Sequence, residues 1–124
     1  MLFRSLELDV PSGLVVKGDR LRLEQAIANL VDNALRHGDG RVSLRAAGAN
    51  GRVELHVEDE GPGFSDDFAS RAFERFSRSH PGREGNGAGL GLSIAKMIAE
   101  AHGGTAEAAN AAGGGADVWL VLPS

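Results

Sequence analysis

From Asp19 to Gly40 the chain reads DRLRLEQAIANLVDNALRHGDG, with apolar side chains at Leu23, Ile27, Leu30, Val31, Ala34 and Leu35. That i, i+3, i+4 recurrence lines one face of an α-helix. Gly38 stands where a helix C-terminus favours positive φ, so the spacing predicts a helix over about 20–37. Downstream the period falls to two. RVSLRAA alternates Val42, Leu44 and Ala46 with Arg41, Ser43 and Arg45; RVELHVED alternates Val53, Leu55 and Val57 with Glu54, His56 and Glu58. With GANG between them, the two runs predict a β-hairpin with one wet face. EGPGFSDD breaks the pattern, FASRAFERFSR suggests short helical turns, and the polar, glycine-rich SHPGREGNGAG predicts a mobile loop. A second helix follows, with Ile94, Met97, Ile98 and Ala101 expected on one face and Gly103-Gly104 ending it. GTAEAANAA and ADVWLVLP flank Gly113-Gly114-Gly115 as a closing hairpin, with Val118, Leu120 and Leu122 inward. Two long helices and four or five mostly antiparallel strands imply an α+β, two-layer sandwich with the helices on one face of the sheet.

Composition narrows the class. A chain of 124 residues, 42% hydrophobic and 24% charged, suits a single domain over 1–124 with a modest core. The net charge of −4 offers nothing to nucleic acid or an anionic membrane, so any anion site must be local. The lack of cysteine removes disulfides, thiolate metal sites and thiol nucleophiles. No apolar run approaches the roughly 20 residues that span a bilayer, and MLFRSLELD is too short and too acidic for a signal peptide. The chain reads as soluble.

Three stretches carry candidate chemistry. EGNGAGLGL sets Gly85, Gly87, Gly89 and Gly91 at alternate positions before the second helix. Bare backbone at a helix N-terminus lets phosphate approach exposed N–H groups, although the same glycines also suit a flexible linker. Neither the P-loop pattern nor G-x-G-x-x-G fits: both lysines, Lys17 and Lys96, lack a preceding glycine, and the glycine spacing matches in no register. On the first helix, Asn29, Asn33, Arg36 and His37 form one stripe at the edge of the apolar face. Their amide oxygens are hard ligands suited to Mg²⁺, unless they are simply solvated. In DEGPGF, Asp59 ends a strand above a turn opened by Gly61 and Gly63. Such a carboxylate can accept a hydrogen bond from an exocyclic amine, or merely begin the turn.

Together, NLVDNALRHG, DEGPGF, RAFERFSR and GAGLGLSIAKMIAEAHGG resemble, in order and spacing, the N, G1, F and G2 boxes of the ATP-binding catalytic domain of sensor histidine kinases, in the GHKL superfamily shared with gyrase, Hsp90 and MutL. The resemblance covers about residues 5–122. It implies the Bergerat sandwich, with ATP held between the helices and a mobile ATP lid over about 64–88. Carried over by position, Asn33 coordinates Mg²⁺, while Asn29 contacts phosphates or the metal's water shell. Asp59 binds the adenine amine, with Gly61 and Gly63 lining the base pocket. Arg36 contacts phosphate, and His37 stands where Tyr is usual. Phe73 and Phe76 match the F box, Arg78 the arginine that reaches the γ-phosphate. Gly87, Ala88, Gly89, Leu90 and Gly91 match the G2 segment, Ala88 replacing a frequent Thr or Ser; Gly85 and Gly87 serve a lid hinge, Gly89 and Gly91 close phosphate approach.

The implied activity is that of a protein-histidine kinase catalytic domain in two-component signalling. Mg·ATP gives its γ-phosphoryl group to a histidine on a separate helical-bundle dimerisation domain, with Asn29 and Arg78 as catalytic residues and a response regulator downstream. The alternatives are an ATP-binding regulatory module without transfer, or a gyrase-like ATPase or anti-sigma-like serine kinase. Those last enzymes carry Glu four residues before the Mg²⁺ asparagine; here Asn29 stands there, and an amide cannot act as general base. None of His37, His56, His80 and His102 has the phosphoacceptor context of an exposed helical His followed by an acid. The chain is thus expected to be a cytoplasmic domain, monomeric and inactive alone, whose phosphoacceptor domain is absent and whose full-length protein is a homodimer at the inner membrane.

Overall fold

The computed structural model describes residues 6–9, 13–37, 40–63, 73, 90–111 and 114–124. Five strands form one sheet: β1 (Leu6–Asp9), β2 (Val42–Ala49), β3 (Arg52–Glu58), β4 (Thr105–Asn110) and β5 (Ala116–Pro123). Their order is β1-β2-β3-β5-β4; β1 pairs parallel with β2, and every other pairing is antiparallel. Helices α1 (Arg20–His37) and α2 (Leu90–Ala101) pack against each other and against the sheet.

α1 begins where Asp19 caps it, its Oδ1 accepting the Arg22 N–H at 3.2 Å. α2 ends in a Schellman motif: Gly103 takes φ +81, its N–H donates to Glu100 O, and the Gly104 N–H reaches Ala99 O at 2.8 Å. The β2–β3 hairpin is tighter than GANG suggests. Strand pairing runs through Ala49 opposite Arg52, leaving Asn50-Gly51 as a two-residue turn with φ of 54 and 74, the type I′ requirement.

Leu23, Ala26, Leu30 and Ala34 of α1 and Leu92, Ala95, Ile98 and Ala99 of α2 form the core with Val42, Val57, Ala106, Val118, Leu120 and Leu122. Alanines at 26, 95 and 99, fully buried, let the two helices approach closely, while each buried leucine or valine contributes about 1.5–3 kcal/mol of transfer free energy. The inward face of α2 differs from the expected one. Leu92, Ala95 and Ala99 face the core with Ile98, whereas Met97 is 63% exposed and Ala101 points to solvent. Apolar residues lie almost all round this helix, so periodicity does not fix its rotation. On α1 the same effect is milder: Ala26 is buried, Ile27 and Val31 are partly buried, and Leu35 is exposed.

β1 was not legible as a strand: four residues at a parallel edge have no local hairpin partner. The wet face of the hairpin holds one exception, His56, which is buried. Residues 38–39, 64–72 and 74–89, with Gly38, Phe64, Phe76, Arg78, His80 and the glycines from Gly82 to Gly89, lie outside the described residues, as does nearly all of the expected lid segment.

Candidate functional site at the open end of the sandwich

The topology brings three elements to one end. β3 runs antiparallel to β2 and finishes at Glu58, opposite Ser43, close to where β2 begins after α1. α2 runs antiparallel to α1: Asn29 meets Gly91 at one end of the pair and Asp19 meets His102 at the other. The C-terminal half of α1, the mouth of α2 and the turn after β3 therefore converge.

Asp59 is the turn's anchor. Its backbone N–H donates to Ala116 O at 3.0 Å, extending the β3–β5 pairing by one step; the alternation along β3 sets it on the face of Val57, and the residue is 8% exposed. Oδ1 accepts the Gly61 N–H at 2.7 Å, a local Asx-type closure. Among the described residues Oδ2 takes no hydrogen bond. A buried carboxylate oxygen without a donor is costly unless a ligand supplies one, and an exocyclic amine is such a donor.

Gly63 and Gly115 shape the turn by a different route from simple openness. Gly63 has φ +78, and a Cβ there would collide with the Asn110 side chain. Gly115, at φ +85, lies so close to the Asp59 carbonyl that no Cβ fits. The β4–β5 turn thus braces the Asp59 backbone from beneath. Asn110 and Gly115 escaped sequence reasoning because the triple glycine reads as an ordinary hairpin turn. Glu60 adds a second brace by accepting the Arg41 N–H at 2.6 Å.

On α1, Asn29 Nδ2 donates to Gly91 O at 3.2 Å, and among the described residues its Oδ1 takes no hydrogen bond. The side chain of Asn33, half-buried one turn on, makes no hydrogen bond among the described residues. Two amide oxygens in register are hard donors of the kind Mg²⁺ takes, so the residues fit that ion. Gly91 lies in the first turn of α2; a Cβ there would meet only Asn29, at ordinary contact distance, so the protein's own packing does not require glycine. Arg36 is exposed and pairs with Asp32 at 2.8 Å. His37 closes α1 and Leu90 opens α2. Phe73 packs, partly buried, against the core.

His102 holds the far end: Nδ1–H donates to Ile98 O at 2.8 Å and Nε2 accepts the Asp19 N–H at 3.0 Å, so one neutral tautomer satisfies both. His56 lies on the opposite face of the sheet, stacked on Trp119 with centroids 5.1 Å apart.

A layer of two helices on a mostly antiparallel five-stranded sheet, with a buried carboxylate, two amides and a helix mouth toward one end, is a two-layer sandwich. The chain belongs to the family of histidine kinase-, DNA gyrase B- and HSP90-like ATPases, whose family model matches residues 18–124. ATP is thereby the ligand class. The chain is 41% identical over 111 residues to the sensor histidine kinase component HK1 of Mycobacterium tuberculosis, covering 90% of this chain and 66% of that protein. Among solved structures, the mycobacterial sensor histidine kinase MprB superposes with a TM-score of 0.84 at 33% identity, over 96% of this chain and 82% of that one. Full-length ShkA in complex with AMPPNP superposes at 0.81 and 34%, over 96% of this chain but 25% of that one. The chain spans less than two thirds of the curated relative's length. Among the described residues, no helix is long and apolar enough to cross a membrane.

Proposed function

We propose that the chain is the nucleotide-binding, phosphoryl-donating part of a sensor histidine kinase. The observation that carries this reading is the unpartnered Asp59 oxygen, buried at the same end as the Asn29–Gly91 contact. In this reading Asp59 Oδ2 accepts the adenine amine, and the Gly61–Gly63 turn lies along the base. Asn33 supplies an oxygen to Mg²⁺, and Asn29, held by Gly91 O, keeps its own oxygen toward the phosphates or the metal's water shell. Bound Mg²⁺ supplies charge neutralisation on the phosphates. The mouth of α2 offers its unsatisfied N–H groups and the positive end of its dipole to the same anion.

Arg36, His37, Leu90 and Gly91 complete the described part of the site, with Phe76, Arg78, Gly87, Ala88 and Gly89 assigned by motif alone. Asn29 has no basic function, so neither activated water nor a protein hydroxyl finds a general base at that position. Acceptance of the phosphoryl group falls instead to a nitrogen of a histidine on a helical-bundle domain. The P–O bond of the γ-phosphoryl breaks as the P–N bond forms, and ADP leaves. A response regulator then takes the group, and the complete kinase acts as a membrane-associated homodimer with this part in the cytoplasm.

The test mixes the chain, γ-labelled ATP, Mg²⁺ and a histidine-bearing bundle domain from a sensor kinase. Acid-labile label on the bundle, and little steady ATP hydrolysis by the chain alone, is the expected result. Rapid hydrolysis without any bundle overturns the proposal in favour of a gyrase-like ATPase.

A further inference from the structure

We propose that the outer face of the sheet carries a second, separate divalent-cation site, built from the imidazole of His56 and the carboxylates of Glu58 and Asp117. The period of two along β3 puts His56 and Glu58 on one face, turned away from the helices. Across the β3–β5 pairing, Glu58 stands opposite Asp117, and His56 opposite Trp119. One ligand atom from each of the three residues lies within 4.8 Å of the others.

The ring is oriented as a ligand. Trp119 stacks on it at an interplanar angle of 16°, and its side chain is only 10% exposed. Nε2 lies 2.8 Å from Glu54 Oε1, an acceptor that holds the ring proton on Nε2. A carboxylate on the far nitrogen is the usual outer partner of a metal-bound imidazole, fixing its tautomer and raising its basicity. Nδ1 then turns its lone pair toward Asp117, whose oxygens lie at 2.9 and 3.0 Å. Two acceptors so close need a cation, either a proton on Nδ1 or a metal ion beside it.

The charges around the ring favour a cation at Nδ1, and a divalent ion offsets more of that negative charge than a proton. Glu54, Glu58 and Asp117 face the ring, and carboxylates directly opposite one another, as Glu58 and Asp117 are, repel. The cation that faces this cluster from β2 is Arg45, which binds Glu58 at 2.7 Å and so competes for a ligand. One imidazole with two carboxylates suits a borderline first-row ion, Zn²⁺ above all, rather than the all-oxygen ions Mg²⁺ and Ca²⁺. Ligand bonds of about 2.0–2.2 Å require only a small opening of the His56–Asp117 contact and a turn of Glu58 away from Arg45; water fills the fourth position.

The experiment titrates the chelator-treated chain with ZnCl₂ by calorimetry, without nucleotide and with excess Mg²⁺ present. One equivalent of Zn²⁺ binds, proton release depends on pH, and the melting temperature rises. Asp117→Asn and Glu58→Gln each weaken binding at least tenfold, Glu54→Gln weakens it about tenfold through the ring, and Arg45→Ala tightens it. Glu58, 30% exposed in its side chain, gives a reading that does not depend on how well the more buried Asp117 and His56 variants fold. The proposal is overturned by no binding below about 1 mM Zn²⁺. Binding that Glu58→Gln leaves unchanged overturns it equally, since the ion then sits on another imidazole.

Discussion

The two ends of the α1–α2 pair are built from similar parts and treat them differently. At the far end the groups that join the two helices find protein partners: Asp19 caps α1, both nitrogens of His102 are used, and Gly103 and Gly104 close α2. At the open end, among the described residues, one Asp59 oxygen, the Asn33 amide and the Asn29 oxygen have none. A buried carboxylate oxygen without a donor opposes stability, and in the proposed reading that cost at the open end serves ligand binding. The far end fixes how α1 lies on α2; the open end uses that fixed geometry.

Exchanging single atoms at the open end breaks this comparison most directly. Asp59→Asn keeps the volume and keeps an oxygen for the Gly61 N–H, but places an NH₂ group where the ligand's amine needs an acceptor. Nucleotide affinity by calorimetry is expected to fall at least about 100-fold, or about 2.7 kcal/mol, with the melting temperature nearly unchanged. Unchanged affinity removes Asp59 from the adenine site. At the far end the signs reverse. His102→Phe keeps a ring beside Gly18 but leaves the Asp19 N–H and Ile98 O without it, costing about 1–2 kcal/mol in chemical denaturation. Its nucleotide affinity is expected to stay within about twofold of the wild type. A large affinity loss there means that the two ends are not separable.

Legibility followed locality. The β2–β3 hairpin shows in the sequence because alternation and the Asn50-Gly51 turn both act within a few residues. The rotation of α2 does not, because Leu92, Ile94, Met97 and Ile98 offer apolar atoms on several sides and only packing against α1 and the sheet chooses among them. β1 and the burial of His56 are hidden for a related reason: each depends on a partner distant along the chain, β2 in one case and Trp119 with Asp117 in the other. Of the candidate site, the structure joins Asn29 to Gly91 and holds Asp59 to Gly61, and the topology sets both toward one end of the sandwich. The brace that Gly115 gives Asp59 was not legible, since a glycine's closeness to a carbonyl leaves no trace in composition.

Asn33 gives the finest test of the contrast, because it separates the metal from the nucleotide. The residue lies inside α1, half-buried, with no side-chain hydrogen bond among the described residues to lose. Alanine is the better helix former, so Asn33→Ala is expected to leave stability unchanged or raise it by a few tenths of a kcal/mol. If its oxygen serves Mg²⁺, wild-type affinity for ATP rises with added Mg²⁺ and the variant's does not. With chelator present the two bind alike; with Mg²⁺ they differ about tenfold, close to 1.4 kcal/mol. Equal deficits with and without Mg²⁺ place the amide on the nucleotide itself. A loss of stability instead makes Asn33 part of the scaffold, and the open end is then less open than its unpartnered groups imply.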